Sequence, residues 1–428
     1  MPETAIPANP PTPSTQRRHG TLAVLLLAST LGAMSGTILM PVLELLRSGL
    51  GISSTQAGTL LTLNGLTIAV VSPLTGWLVD RVGVRGPMFV GLLVYGLAGG
   101  AGLVTDDYTL LLASRVVFGI GTAMALSALT VAFLNGYRGR DRDRVMGWRT
   151  TAVSLGGVAW PLLGGALGGI SWQAPFAVFL IGIPLGVAAL FLVSTPETGA
   201  ASGTGGSAVG ATTLRAALAA RPALLGVFAL SSAYMVITYG LLVFLPPRLA
   251  ELGVHDPVAV SVNVSLLTGT SALVGLFYAR LRRAAGINAL LRTTAALWTA
   301  AFLLLGLVDA VPALVAAAVL LGAGGGVWLT SLTVLMGVLA PAPVMGRVSS
   351  VSSTLVFVGQ FLSPLLLGPL MAATSIATGH LVLAAGVGAM ALVLLFVRFP
   401  TDTEERGEQG QSSPGQEAPA SGSSPSSR

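Results

Sequence analysis

Gly76-Trp77-Leu78-Val79-Asp80-Arg81-Val82-Gly83-Val84-Arg85 sets one acid and two arginines between two long apolar runs, Gln56 to Leu78 and Pro87 to Val104, neither of which carries a charge. As helices, runs of this length cross roughly 30 Å of hydrocarbon. The charged stretch between them is then a short loop at a membrane boundary. Its parts have readable uses: Gly76 lets neighbouring helices approach closely, Gly83 permits the tight turn, and Asp80 places a carboxylate at the edge of the lipid.

Outward from that loop the same pattern repeats. Thr21 to Leu43, Thr109 to Leu134, Val145 to Gly168 and Ala174 to Val193 complete a first set of six spans. Pro222 to Leu245, Val258 to Ala279, Ile287 to Leu307, Val311 to Leu339, Val344 to Met371 and Ala377 to Val397 form a second set. The expected fold is therefore an all-α integral membrane protein of twelve transmembrane helices in two pseudo-symmetric six-helix bundles, at 21–194 and 222–398. Residues 1–20 form a tail, the Gly/Ser/Thr/Ala-rich stretch 195–221 a flexible linker, and 399–428 a disordered tail.

Composition agrees: of 428 residues, 53% are hydrophobic and only 9% charged, against roughly a quarter charged in soluble domains. There is no cysteine, and the three histidines, His19, His255 and His380, are far apart in sequence. A disulfide framework and a thiolate metal site are excluded, and neither metal nor cofactor is expected. The basic residues are all arginine. They flank the apolar runs, which is a topology signal and not a nucleic-acid footprint. The run after Arg17-Arg18-His19 is too long for a signal-peptide core, so no cleavage is expected.

An even number of spans puts both ends of the chain on one side. Nineteen arginines then fall on the side of the Gly76 to Arg85 loop, two (Arg47 and Arg248) on the other, and Arg115 within a span. The positive-inside rule makes the first side cytoplasmic. The expected location is a bacterial inner membrane, multi-pass, with both termini cytoplasmic. Gly275 to Arg283 echoes the first loop, matching Gly76 with Gly275 and Arg81 with Arg280, as a repeat-built transporter requires.

The opening stretch has the form G-x-L-x-D-R-x-G-x-R, which resembles the signature loop of the major facilitator superfamily. The resemblance implies two six-helix bundles around a central cavity. It also implies that Asp80 meets the positive end of a helix in the opposite half, closing the cytoplasmic gate when the cavity faces out, with Arg81 and Arg85 as charge partners. The stretch Leu111 to Gly121 is similar to the family's fourth-helix motif, with Arg115 as its intramembrane arginine and Phe118 where a polar residue is usual. Arg115 lies about 9 Å deep at 1.5 Å per residue, so it needs a partner or a function. Glu44 is the candidate partner for charge pairing or coupling; snorkelling to the outer surface is the alternative. Proton-coupled exporters that the chain resembles carry an acid deeper in the first helix, whereas Thr21 to Leu43 holds none. The coupling carboxylate therefore stays unassigned.

Gly156-Gly157-Val158-Ala159-Trp160-Pro161-Leu162-Leu163-Gly164-Gly165 resembles the family's antiporter motif, with Trp160 where glycine is usual. Pro161 bends the span, and Gly157, Gly164 and Gly165 allow close packing; small-residue packing alone produces the same pattern. Arg142 to Arg149 resembles the fourth-to-fifth loop of bacterial efflux members. The candidate cavity residues are Asn64, Tyr234, Tyr239, Asn263, Trp328 and Gln360. Apolar and aromatic, without a buried carboxylate, such a cavity suits neutral or weakly anionic amphipathic molecules.

The leading expectation is proton-coupled efflux of drug-like compounds or siderophores by alternating access, by a monomer in the lipid bilayer. The alternative on the same fold is import of a small anion, sugar or metabolite, with Arg115 binding negative charge. An enzyme or sensor needs paired acids, a nucleophile with its base, or an output domain, and none is visible.

Overall fold

Lipid offers a backbone amide no partner, so each apolar run satisfies its amides within one helix. In the computed structural model, which describes residues 15–137, 139–193, 218–219, 221–340 and 344–399, twelve helices among the described residues are long and apolar enough to cross a membrane. They are α1 (His19–Leu50), α2 (Ser54–Val82), α3 (Arg85–Leu103), α4 (Tyr108–Gly136), α5 (Arg144–Gly168), α6 (Ala174–Leu192), α7 (Ala223–Glu251), α8 (Pro257–Leu276), α9 (Tyr278–Leu307), α10 (Val311–Leu339), α11 (Arg347–Ala373) and α12 (Ile376–Phe396). Every expected span finds its helix. The expected tail before residue 15, most of the linker and the tail after residue 399 lie outside the described residues.

Several helices run further than the apolar runs suggested: α2 continues past Leu78 to Val82, so Asp80 and Arg81 stand on its last turn and not in a loop, and α9 begins at Tyr278, ahead of its kink at Gly286. α1 continues past Leu43 to Leu50, so Glu44 and Arg47 sit one turn apart on a helix and form an ion pair at 2.5 Å. α7 continues past Leu245 to Glu251 and buries Arg248, which pairs with Glu251 at 2.8 Å and with Asp309. The acids of these loops also stop helices from fraying. Asp107 accepts from Leu110 N at 2.8 Å to cap α4, and Asp256 accepts from Val258 N at 2.9 Å to cap α8. An N-cap oxygen satisfies an amide that has no carbonyl of its own.

The caps also set the register between the halves. Gly83, which ends α2, has φ 82°, and Gly286, at the kink that opens the main body of α9, has φ 76°. Only glycine takes this left-handed region without strain. Gly83 follows the cap Ser53 by 30 residues, and Gly286 follows the cap Asp256 by 30. In this register Asp80 corresponds to Arg283 and Gly76 to Ala279, so the match of Gly76 with Gly275 is four residues out. The turn glycine and the cap fix the helix length; the shared arginines misled because they recur at several offsets.

Each half is a bundle of its own. α4 packs on α2 and α3 in the first half, as α10 packs on α8 and α9 in the second. Tyr95, Phe118, Phe176 and Phe179 fill the first core, with Tyr95 donating to Leu31 O at 3.0 Å. Trp298, Trp328 and Phe302 fill the second. The halves meet along two lines, α2 against α11 and α5 against α8.

Candidate functional site

Pro161 has no N–H, so the carbonyl of Gly157, four residues back, loses its helical donor. Thr268, on α8 in the other half, supplies one: its Oγ1 donates to Gly157 O at 2.8 Å. One turn away Ser265 donates to Val158 O at 2.9 Å. Towards the arginine-poor end the same faces close further. A Cβ on Gly165 would lie 2.5 Å from Ser261 Oγ, and one on Gly168 would meet Pro257 at 3.1 Å. Gly164 instead packs on the Ile38 backbone of α1. The antiporter-like motif is thus a two-sided surface, with Gly157 and Gly165 on the opposite half and Gly164 on its own. Trp160 is half-buried, beside Gly156 and with its indole nitrogen unpartnered.

The second line closes similarly. A Cβ on Gly58 would lie 2.6 Å from Pro364 and one on Gly65 2.9 Å from Gln360, while Gly368 abuts Thr55. All these contacts lie at mid-depth or towards the arginine-poor end. At the arginine-rich end of the seam helices the glycines tell the opposite story: Gly76 on α2 and Gly147 on α5 have no described atom within 4 Å of where a Cβ would stand. Asp80 is exposed, and no hydrogen bond or ion pair joins it to another described residue. Its expected charge partners are engaged elsewhere. The Arg81 guanidinium lies over Trp77, 4.8 Å from the ring centre, and Arg85 Nε donates to Leu190 O at the end of α6. The seam is sealed at one end and parted at the other, which leaves the gate residues without a surface to engage.

Three of the six candidate cavity residues gather at the seam. Asn64 is buried on α2, donates to Ser35 O of α1 at 3.4 Å and leaves its Oδ1 unpartnered. Beside it Gly65 touches Gln360 of α11, and Gly36 of α1 faces the Tyr239 hydroxyl of α7, 2.9 Å from where a Cβ would stand. Asn64, Tyr239 and Gln360 therefore surround one region contributed by both halves. Tyr234 and Trp328 do not join them. Tyr234 stacks on Trp298 at 5.8 Å and Trp298 packs on Trp328 at 4.9 Å, inside the second half. Asn263 stands apart on α8, donating to Ala259 O of its own helix at 2.9 Å.

Arg115 takes neither of its expected places. Glu44 is occupied by Arg47, and Arg115 is buried against its own half. It donates to Ala98 O at 3.2 Å and Gly99 O at 3.0 Å, where the α-helical part of α3 gives way to the 3-10 turn Gly100–Leu103. Carbonyls at a helix end lack amide donors and carry the negative end of the helix dipole. Phe118, Phe176 and Phe179 present their rings to the guanidinium at 5.0, 5.3 and 5.6 Å. The aromatic Phe118 thus has a use as a cation-binding wall.

Sequence reasoning missed Ser261, Ser265 and Thr268. Their spacing on one helical face was a signal, and so was the carbonyl that Pro161 leaves without a donor, since a polar group freed within lipid requires a partner.

Curated relatives match part of the chain. A candidate multidrug resistance protein, MdtD, of Cronobacter sakazakii is 37% identical over 163 residues, covering 36% of this chain and 33% of that protein. Its counterpart in Pectobacterium carotovorum subsp. carotovorum is 40% identical over 126 residues, 28% of this chain and 26% of that one. The chain thus matches only about a third or less of these relatives' length. Solved structures match nearly throughout. A bacterial homologue of the human lysosomal transporter Spinster superposes with a TM-score of 0.69 at 19% identity, covering 90% of this chain and 96% of that one. A POT family transporter in complex with 5-aminolevulinic acid gives 0.71 at 15% identity, covering 88% and 95%. At these identities the structures speak to the fold. The profile of the Major Facilitator Superfamily matches residues 25–364, and with twelve apolar helices in two bundles the chain is a multi-pass membrane transport protein belonging to that superfamily.

Proposed function

We propose that the chain exports small amphipathic molecules by alternating access, with protons as the driving ion. The observation that carries this reading is the asymmetry of the seam: Thr268, Ser265 and the facing glycines hold the arginine-poor end shut while Asp80 stands free at the other. The positive-inside rule puts the arginine-rich end, with both termini, in the cytoplasm of a bacterial cell. The described state is then the loading state of an exporter. Asn64, Tyr239 and Gln360 offer two amides and a hydroxyl at the seam with no carboxylate, which favours neutral or weakly anionic substrates over cations. The partial relatives named for multidrug resistance support the outward direction. Arg115 is buried against its own half and bonded to Gly99 O, which speaks against it as the anion-binding residue of an importer.

In the return stroke the bundles at 21–194 and 222–398 rock within a monomer, tethered by 195–221. The arginine-rich ends close, and Asp80 docks on a helix end of the other half, with Arg81 and Arg85 beside it.

Everted membrane vesicles test the direction and the coupling together. A panel of neutral and cationic dyes should show energised accumulation of neutral members, abolished when an ionophore collapses the proton gradient. Accumulation by intact cells instead, or indifference to the ionophore, overturns the reading. Asp80→Asn should insert normally yet lower transport about tenfold, the equivalent of 1.4 kcal/mol. Normal transport by that variant removes the gate assignment.

A further inference from the structure

We propose that His380 is the proton-binding group through which a proton from the arginine-poor side biases the seam towards opening. The inference rests on the proton-coupled reading above and names its site. Among the described residues every aspartate and glutamate lies in a loop or within two turns of a helix end. His19 stands exposed at the start of α1 and His255 exposed in the loop between α7 and α8. Of the ionisable groups sealed within spans among the described residues, arginine and tyrosine side chains as residue types keep their protons across the physiological range, which leaves His380.

The surroundings of the ring suit that task. His380 is fully buried on α12, and neither ring nitrogen has a hydrogen-bond partner among the described residues. Its ring stacks on Phe302 of α9 at 6.0 Å. α12 packs on α7, α9 and α11. From α7 the charged groups at this end are Arg248 and Glu251, and beyond α9 Asp309; α11 contributes none, its single charge, Arg347, standing at the other end. Both acids are already held by Arg248. A proton on His380 would add a second cation at the end of the bundle that holds Arg248, while both acids there are paired already, so a protonated ring suits a state in which one of those acids is released. Buried polar groups are nearly always partnered, so this ring calls for an explanation, and an ionisable group within a membrane span points to function.

The link to the seam is direct, because the α7 that carries Arg248 packs on the Leu43–Leu50 turns of α1, in the other half. Opening the arginine-poor end withdraws that support, admits water, and frees Asp309 or Glu251 to face the ring. A hydronium there gives its proton to a ring nitrogen lone pair, leaving water and an imidazolium that resealing must expel.

The chain has no cysteine, so spin labels on Ser48→Cys and Val258→Cys, exposed positions on facing halves, report the seam in the full chain without background. In nanodiscs, lowering the pH from 8 to 5 should shift the population towards longer distances, by up to about tenfold per pH unit for one proton. His380→Gln and His380→Phe should each abolish the shift. A shift that persists in both variants, or is absent from the wild type, overturns the proposal. Should neither variant insert, nitrogen-15 NMR of histidine-labelled wild type decides: a buried ring that protonates as the distance grows supports it, and one that stays neutral throughout overturns it. The two readings separate in the vesicle assay. Wild-type transport indifferent to the proton gradient fells the coupling itself, whereas His380→Gln transport that still follows the gradient fells this site alone.

Discussion

At Pro161 the chain gives up one amide, and the consequence reaches the opposite half. The Gly157 carbonyl accepts from Thr268 because no N–H in its own helix competes for it. Thr268→Val removes the donor, and Pro161→Ala restores a competing amide. Each should weaken the sealed arginine-poor end by about 0.5–1.5 kcal/mol, the net worth of one hydrogen bond. Because both act on one bond, the double variant should lose little more than either single one. Thiol labelling of a cysteine placed at Ser261 measures the opening, and full additivity would mean that Thr268 and Pro161 act separately. Asn64 and Trp328 show the limit at this scale. Both are polar-capable groups inside apolar runs, yet one lies at the seam and the other packs on Trp298. Spacing along a helix does not say which face meets which bundle.

Among the elements, α3 and α4 form the tightest functional unit of the first half. Arg115 of α4 closes the end of α3, and Gly99 leaves room for Phe118 and Phe179 beside it. Arg115→Leu takes the guanidinium away from both carbonyls, leaving Ala98 O only its bond from the Gly100 N–H. A loss of about 1.5–3 kcal/mol is expected, read as a lower melting temperature in detergent. Glu44→Gln, which disturbs only the half-exposed pair with Arg47, should change stability by no more than about 0.5 kcal/mol. Equal losses from both substitutions would restore the Glu44 partnership. The helices themselves were legible, because an uncharged run of this length admits no other structure in lipid. Their ends were less so. Hydropathy stops at the first charge, whereas α1 carries Glu44 and Arg47 onward as a local pair and α7 shelters Arg248 between two acids. Capping by Asp107 and Asp256 was hidden for the same reason: a loop acid and a helix cap read alike until the turn is built.

For the whole molecule, the sealed and parted ends are two aspects of one rigid-body arrangement. A Cβ on Gly157 would stand 3.7 Å from that of Thr268, close to the separation of about 3.8 Å in disulfides. Gly157→Cys with Thr268→Cys should therefore cross-link under mild oxidant, halt transport by at least about tenfold, and recover on reduction. Transport by the cross-linked protein would show that the seam need not open. The two-bundle plan was visible in the arginines and the glycine-marked turn. The conformation was not, since Asp80 engaged and Asp80 free are compatible with the same residues.

The oxygen of Gly157 has one further property. Deprived of an amide within its own helix, it is bonded to Thr268 when the bundles meet and to water or nothing when they separate. A carbon-13, oxygen-18 label at this single carbonyl would thus give an infrared stretching band whose frequency marks the position of the transport cycle, with no dye, spin probe or added side chain.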